Sequence, residues 1–178
     1  MDQDLAAIVR EMKDRHEIYD CVLRYCRGID RLDREMLLSA YHPDAIDDHG
    51  TFVGPVEQFW DYVHALHHTY QHRTQHHITN HRCDIDGDVA HAESYYIFRS
   101  LNKEAPLHTN ASGRYIDRFE RRGGRWAIAE RVCLVEIRND HWAPTGFEGD
   151  DDYLPATRDK GDTSYRMPLE IDRSRFTV

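Results

Sequence analysis

The chain of 178 residues has little cysteine, no long apolar run and no basic excess, and each shortage excludes something. Its four cysteines, Cys21, Cys26, Cys83 and Cys133, include no C-x-x-C pair, so neither a zinc ribbon nor a thioredoxin-type redox motif is indicated. Free thiols suit a reducing compartment, and the cytoplasm is the expected location. The N-terminal stretch MDQDLAAIVREMKD carries acids where a secretory leader needs bases. No segment approaches the ~20 apolar residues of a membrane span. Lys and Arg total 23 against 32 Asp and Glu, a net charge of −9, so neither nucleic acid nor an anionic membrane is the expected partner. There is no internal repeat, no G-x-x-x-x-G-K-[ST] phosphate loop and no G-x-S-x-G nucleophile elbow.

Histidine is what the chain has in excess. There are 13, enough that protonating all of them would turn the net charge positive. The charge therefore depends strongly on pH between about 5 and 7. With 40% hydrophobic residues, the chain can close one core and a pocket without disulfides.

Helical periodicity comes first. Ile18, Cys21, Val22, Tyr25 and Ile29 recur at helical spacing, and Asp14 with Glu17 resembles a capping box. This predicts a helix from about Asp14 to Ile29 after a looser turn over Leu5–Met12. Asp33 caps a second helix that Pro43 ends, and His49–Val53 reads as a short strand. Gly54-Pro55 opens a third helix, with Pro in the first helical position and Phe59, Val63 and Leu66 as its buried stripe. Extended segments then alternate with turn signals: Thr74–Ile85, Asp86-Gly87-Asp88, Val89–Leu101, His108–Arg121, Arg122-Gly123-Gly124 and Arg125–Asn139. Helices followed by a four-strand antiparallel meander give an α+β fold, with helices packed in a curved, mostly antiparallel sheet. A cone of that kind has one open end, a natural small-molecule pocket. Residues 1–140 form this domain, and 141–178 are expected to be an irregular tail packed on it or on a neighbouring subunit, anchored by Tyr153, Leu154, Tyr165, Met167, Leu169, Ile171 and Phe176.

Two segments carry chemistry. RYCRGIDRLD ends the first long helix with Asp30 in an apolar neighbourhood, and TQHHITN begins the first long strand. Side chains alternate along a strand, so of the adjacent histidines His76 and His77 one points inward and one outward. An inward histidine beside a carboxylate is a general base: the carboxylate takes Nδ1–H and Nε2 takes the substrate's proton. Tyr25, five residues before Asp30, is a candidate donor to a leaving or developing oxygen. Spacing alone also allows a plainer reading, in which Asp30 caps the helix end and His76 is a half-buried structural residue. Arg131 shares a face with small residues, where it can reach a pocket and hold an anionic or phenolic group. Tyr96, Phe98, Asn80, Tyr41 and His49 complete the candidate substrate-binding set. The run HALHHTYQHRTQHH places His64 and His68, and His68 and His72, four apart, but lacks a third ligand and a H-E-x-x-H motif. A solvated helix face is expected there, and no metal.

The segments RYCRGIDRLDREMLLSAYHPDAIDDHGTFVGP, TQHHITN and YIDRFERRGGRWAIAERV together resemble the SnoaL-like branch of the nuclear transport factor 2-like superfamily. The resemblance runs from about Lys13 to Asn139. The branch is similar to scytalone dehydratase, bile-acid 7α-dehydratase and hexachlorocyclohexane dehydrochlorinase. It implies an Asp–His dyad at Asp30 and His76, a tyrosine at Tyr25, no cofactor, and a homotrimer or homodimer. The implied activity is a lyase reaction on a small hydrophobic aromatic or alicyclic substrate, a dehydration or related elimination, with C–C cleavage releasing formaldehyde also within reach. Two alternatives stay open. One is a non-catalytic ligand-binding or scaffold subunit, such as the β-subunit of a ring-hydroxylating dioxygenase. The other is an isomerase or polyketide-type cyclase using the same dyad.

Overall fold

The computed structural model describes residues 2–141 and 157–165. It begins with one continuous 30-residue helix, α1 (Asp2–Arg31), not a loose turn and a later helix. The pairs Glu11–Arg15 and Lys13–Glu17, four residues apart, carry the helix through the expected start at Asp14. Asp14 caps nothing: its carboxylate accepts Trp126 Nε1–H at 2.9 Å and pairs with Arg121. Ile18, Cys21, Val22, Tyr25, Cys26 and Ile29 form the buried face, whereas Leu5, Ile8, Val9 and Met12 in the first turns are exposed.

At Gly28 the chain folds tightly back on itself. A Cβ there would lie 2.5 Å from the backbone nitrogen of Leu37 in the next helix, α2 (Arg34–Leu38), so only glycine permits the approach. Asp33 is the N-cap, as its position predicts, accepting the Met36 N–H at 3.1 Å. Helix α2 stops at Leu38, short of Pro43, which lies within strand β1 (Tyr41–Asp48). Its pairing with a later strand shifts register between Tyr41 and Ile46, an irregularity that tolerates a residue without an N–H. The expected strand over 49–53 is instead a turn, closed by His49 N–H to the Phe52 carbonyl, before strand β2 (Val53–Pro55). Helix α3 (Val56–Tyr70) follows, with Pro55 as its N-cap, one position earlier than expected. It buries Val56, Phe59, Trp60, Val63 and His67; Leu66 is exposed.

The four long strands are β3 (Gln71–Asp86), β4 (Val89–Asn102), β5 (His108–Arg122) and β6 (Arg125–His141). They form the expected antiparallel meander. Gly87 at φ 59° makes the first hairpin turn, where a side chain would be strained. Strand β1 adds parallel to β6, giving one curled six-stranded sheet in the order β2-β1-β6-β5-β4-β3. The sheet wraps α1 and α3, and Tyr115, Phe119, Trp126 and Ile128 meet the α1 stripe in a single core. Each fully buried large side chain contributes roughly 1.5–3 kcal/mol. No helix among the described residues is long and apolar enough to cross a membrane.

Residues 157–165 lie against the end of α1. Arg31 donates to the Thr157 carbonyl at 3.0 Å, and the Tyr165 hydroxyl donates to Asp33 Oδ2 at 2.7 Å. The other anchors expected in the tail, Tyr153, Leu154, Met167, Leu169, Ile171 and Phe176, lie outside the described residues.

Candidate active site

Asp30 occupies the last turn of α1, two residues after the crossing that Gly28 permits, and faces the early part of β3. Its Oδ1 accepts His76 Nδ1–H at 2.7 Å, and its Oδ2 accepts the His76 backbone N–H at 2.8 Å. A carboxylate only accepts, so this contact puts the Nδ1 proton on the ring and leaves Nε2 to carry the lone pair of the neutral imidazole. Burial alone would raise the Asp30 carboxyl; the charge and hydrogen bonds of His76 outweigh it and hold the group below the usual carboxylate range. The alternation of β3 behaves as expected here: His76 is 7% exposed in its side chain and His77 faces outward.

Beyond Nε2 lies a cavity of about 750 Å³, lined by His49, His67, His76, Tyr96, Phe98, Tyr115 and Cys133 deep in the cone and by Leu66, Tyr70 and the 103–106 connection. Phe98 packs on His76 at 4.8 Å between ring centres, and Tyr96 stacks on Tyr115 at 4.5 Å. Of the expected substrate-binding residues, Tyr96, Phe98 and His49 therefore line the cavity.

The other three do not. Asn80 is exposed because β3 shifts register between Ile78 and His81, which turns Thr79 and Asn80 both outward and breaks the alternation that placed Asn80 in line with His76. Arg131 points inward but is spent within the protein. It is 1% exposed, makes a bidentate pair with Asp117 at 2.7 Å, and lies between the rings of Tyr25 and Tyr115, each 4.2 Å away. Tyr41 is buried with its hydroxyl donating to Asp47 Oδ2 at 2.7 Å. Tyr25 also departs from expectation: it is fully buried, and its hydroxyl stands 3.2 Å from His49 Nε2, with its ring edge-on to His76 at 6.3 Å between centres.

Reading the sequence missed two histidine environments. His49 Nδ1 bonds Asp47 Oδ1, forming a second Asp–His pair at the closed end of the cavity. Asp47 and His49 are two apart at a strand end, the spacing of one face, and that signal was available. His67 belongs to the histidine-rich stretch expected on a helix surface, yet it is buried and lines the cavity. Burial, helped by the nearby His76, pushes it down to about 3, so it is a neutral imidazole near neutrality. His68 and His72 are exposed, as expected for a solvated cluster. Arg158, from the short described tail piece, closes the outer side of the dyad. It donates to the carbonyls of Asp30, His67 and Gln71 at 3.3, 3.0 and 3.0 Å. Among the described residues, no group of three or more His, Cys, Asp or Glu side chains is placed to hold a metal ion.

Helices wrapped by one curled, mostly antiparallel six-stranded sheet place the chain in the nuclear transport factor 2-like class of α+β domains. Within it the chain belongs to the SnoaL-like domain family, which matches residues 10–132. Its fold is shared with hexachlorocyclohexane dehydrochlorinase LinA-type3 from Novosphingobium barchaimii, at TM-score 0.70 and 19% identity over 77% of this chain and 99% of that one. A putative scytalone dehydratase from Novosphingobium aromaticivorans aligns at TM-score 0.67 and 16% identity, over 75% of this chain and 91% of its own. A protein of unknown function with a cystatin-like fold from Nostoc punctiforme aligns at 0.60 and 22% identity, over 69% and 91%. No curated protein sequence matches the chain.

Proposed function

We propose that this protein is a cofactor-independent lyase that eliminates water, or a related leaving group, from a small hydrophobic aromatic or alicyclic compound. The observation that carries the reading is the paired contact of Asp30 with both Nδ1–H and N–H of His76, at the wall of an aromatic-lined cavity. His76 Nε2 removes a proton from carbon. The C–H electron pair becomes the new C=C bond as the leaving group departs from the neighbouring carbon, either as halide or as a hydroxyl that takes the proton back from the His76 imidazolium and leaves as water. Asp30 fixes the tautomer and offsets the positive charge gained by the ring. Tyr96, Phe98 and Tyr115 supply flat apolar walls for a ring-shaped substrate. Tyr25 acts through His49, which stands between its hydroxyl and the cavity. The close approach of Asp30 and His76 favours catalysis over a scaffold role. The same reading takes residues 1–140 as the catalytic cone and 141–178 as a tail packed on it or on a neighbouring subunit, in a homodimer or homotrimer.

The test is a panel of alicyclic and aromatic compounds bearing a hydroxyl or halogen on the carbon adjacent to one with an acidic C–H, with alkene formation followed by absorbance and mass spectrometry. Wild-type protein should form alkene from at least one. His76→Ala and Asp30→Asn should lose about 10²–10⁴ of that rate with the circular dichroism spectrum unchanged. Near-wild-type turnover in both folded variants overturns the proposal.

A further inference from the structure

Behind His49 on the cavity wall lies a buried ionic cluster that the dyad chemistry above does not use. Asp47 and Asp117 are both fully buried. Asp117 is matched by Arg131. Asp47 receives the neutral Tyr41 hydroxyl on Oδ2 and His49 Nδ1 on Oδ1. One guanidinium therefore faces two carboxylates, and His49 is the remaining group there that can balance the second. An unbalanced charge in this setting is costly, because Phe59, Tyr25 and Tyr115 surround the cluster with rings instead of water. The groups facing the His49 ring are Asp47 on its own strand end, Tyr25 from α1, Tyr115 from β5 and Cys133 from β6, while α3 offers only Phe59. Arg131, stacked behind Tyr25, is already paired with Asp117.

We infer that Asp47 and His49 form an oxyanion subsite: an imidazolium, its charge offset by Asp47, at the closed end of the cavity that receives a phenolate, enolate or carboxylate oxygen of the ligand. This deepens the lyase reading, resting on it only for the cavity being the substrate site. Nε2–H now spends itself on the neutral Tyr25 hydroxyl at 3.2 Å, a long contact. An anionic oxygen entering the cavity is the stronger acceptor and takes that proton contact over. In the opposite direction of charge, burial disfavours the ring's proton but Asp47 outweighs it, raising His49 to about 9. Two Asp–His pairs then flank one cavity with different tasks. His76 removes a proton, and His49 holds the oxygen on which negative charge collects. The substrate class narrows to compounds with an ionisable or carbonyl-type oxygen at the end inserted first.

The probe is 4-nitrophenol, whose absorbance separates phenol from phenolate. Wild-type protein should bind it as phenolate at a pH where the free compound is still largely phenol. His49→Gln and Asp47→Asn should bind phenolate about ten- to a hundredfold more weakly, losing the spectral shift. His76→Gln should keep the shift. The wild-type spectrum needs no variant to fold, so it stands as a test alone. Binding as neutral phenol, no binding by the wild type, or a shift that survives His49→Gln or vanishes with His76→Gln each overturns the inference. Elimination that survives His76→Gln beside an intact phenolate shift would sink the lyase reading and leave this one standing.

Discussion

Asp30 reaches His76 across 46 residues, from the last turn of α1 to the early part of β3, whereas Asp47 reaches His49 across two, at the end of β1. The distant pair depends on packing. Gly28 lets α2 cross α1, the α1 face buries against the sheet, and Arg158 ties the Asp30 carbonyl to the end of α3. The local pair depends on its surroundings. Its two residues meet whenever β1 is extended, and buried Asp47 outweighs the burial that would strip the His49 ring of its proton. In the roles proposed for them, the same two residue types take opposite tasks according to which neighbouring charges are already neutralised.

The sharpest way to break this contrast is at His76. His76→Ala should remove about 10²–10⁴ of turnover while thermal unfolding stays within a few degrees of wild type, since the ring sits at a cavity wall. Kinetics on the first active substrate and a melting curve together check it. Next comes the support of the local pair. Arg131→Met leaves Asp117 buried and unpaired and should cost about 3–5 kcal/mol in urea unfolding. An unchanged urea midpoint would mean that the guanidinium is not what balances the cluster.

A third test follows pH. His49 is raised from 6.5 to about 9, so its contribution to stability is fully present below about 6.5 and is lost as pH rises through about 9. His67 is lowered to about 3, so it acts with the opposite sign: its contribution is present above about 6.5 and is lost as pH falls toward 3. Urea midpoints across pH should therefore decline on both sides, and His49→Gln should flatten the alkaline decline alone. The smallest effect belongs to the tail. Tyr165→Phe removes one hydrogen bond to Asp33 and should cost about 1 kcal/mol with turnover little changed, read by the same unfolding assay. A large loss of turnover would tie residues 157–165 to the site more closely than one bond does.

Much of the fold was legible because it is periodic. The α1 stripe, the two hairpin turns and the four long strands follow from helical spacing, glycine turns and alternation, and each is where those patterns put it. Local pattern failed where the chain is irregular. Asp14 sits in mid-helix because ion pairs four apart outweigh a capping signal, and Pro43 lies in a strand because a register shift accommodates it. Of the site residues, alternation made legible that one of His76 and His77 faces inward, but the choice of His76 and its contact with Asp30 were expectations from family resemblance.

Arg131 and Asn80 mark the limit of pattern from two sides. Alternation gave Arg131 the correct inward direction and said nothing of Asp117, which consumes it 14 residues away on the neighbouring strand. For Asn80 a bulge changed the direction itself. By itself, then, the sequence determined the order of helices and strands and that His76 and His77 face opposite ways, because hydrophobic period and turn chemistry act over a few residues. Only the tertiary structure decided that His76 meets Asp30, that Arg131 is spent on Asp117, that His67 is inside, and that His49 joins a buried ionic cluster. Those outcomes depend on which charges and rings are brought together across the chain, and electrostatic energy in a dry interior is set by distance in space.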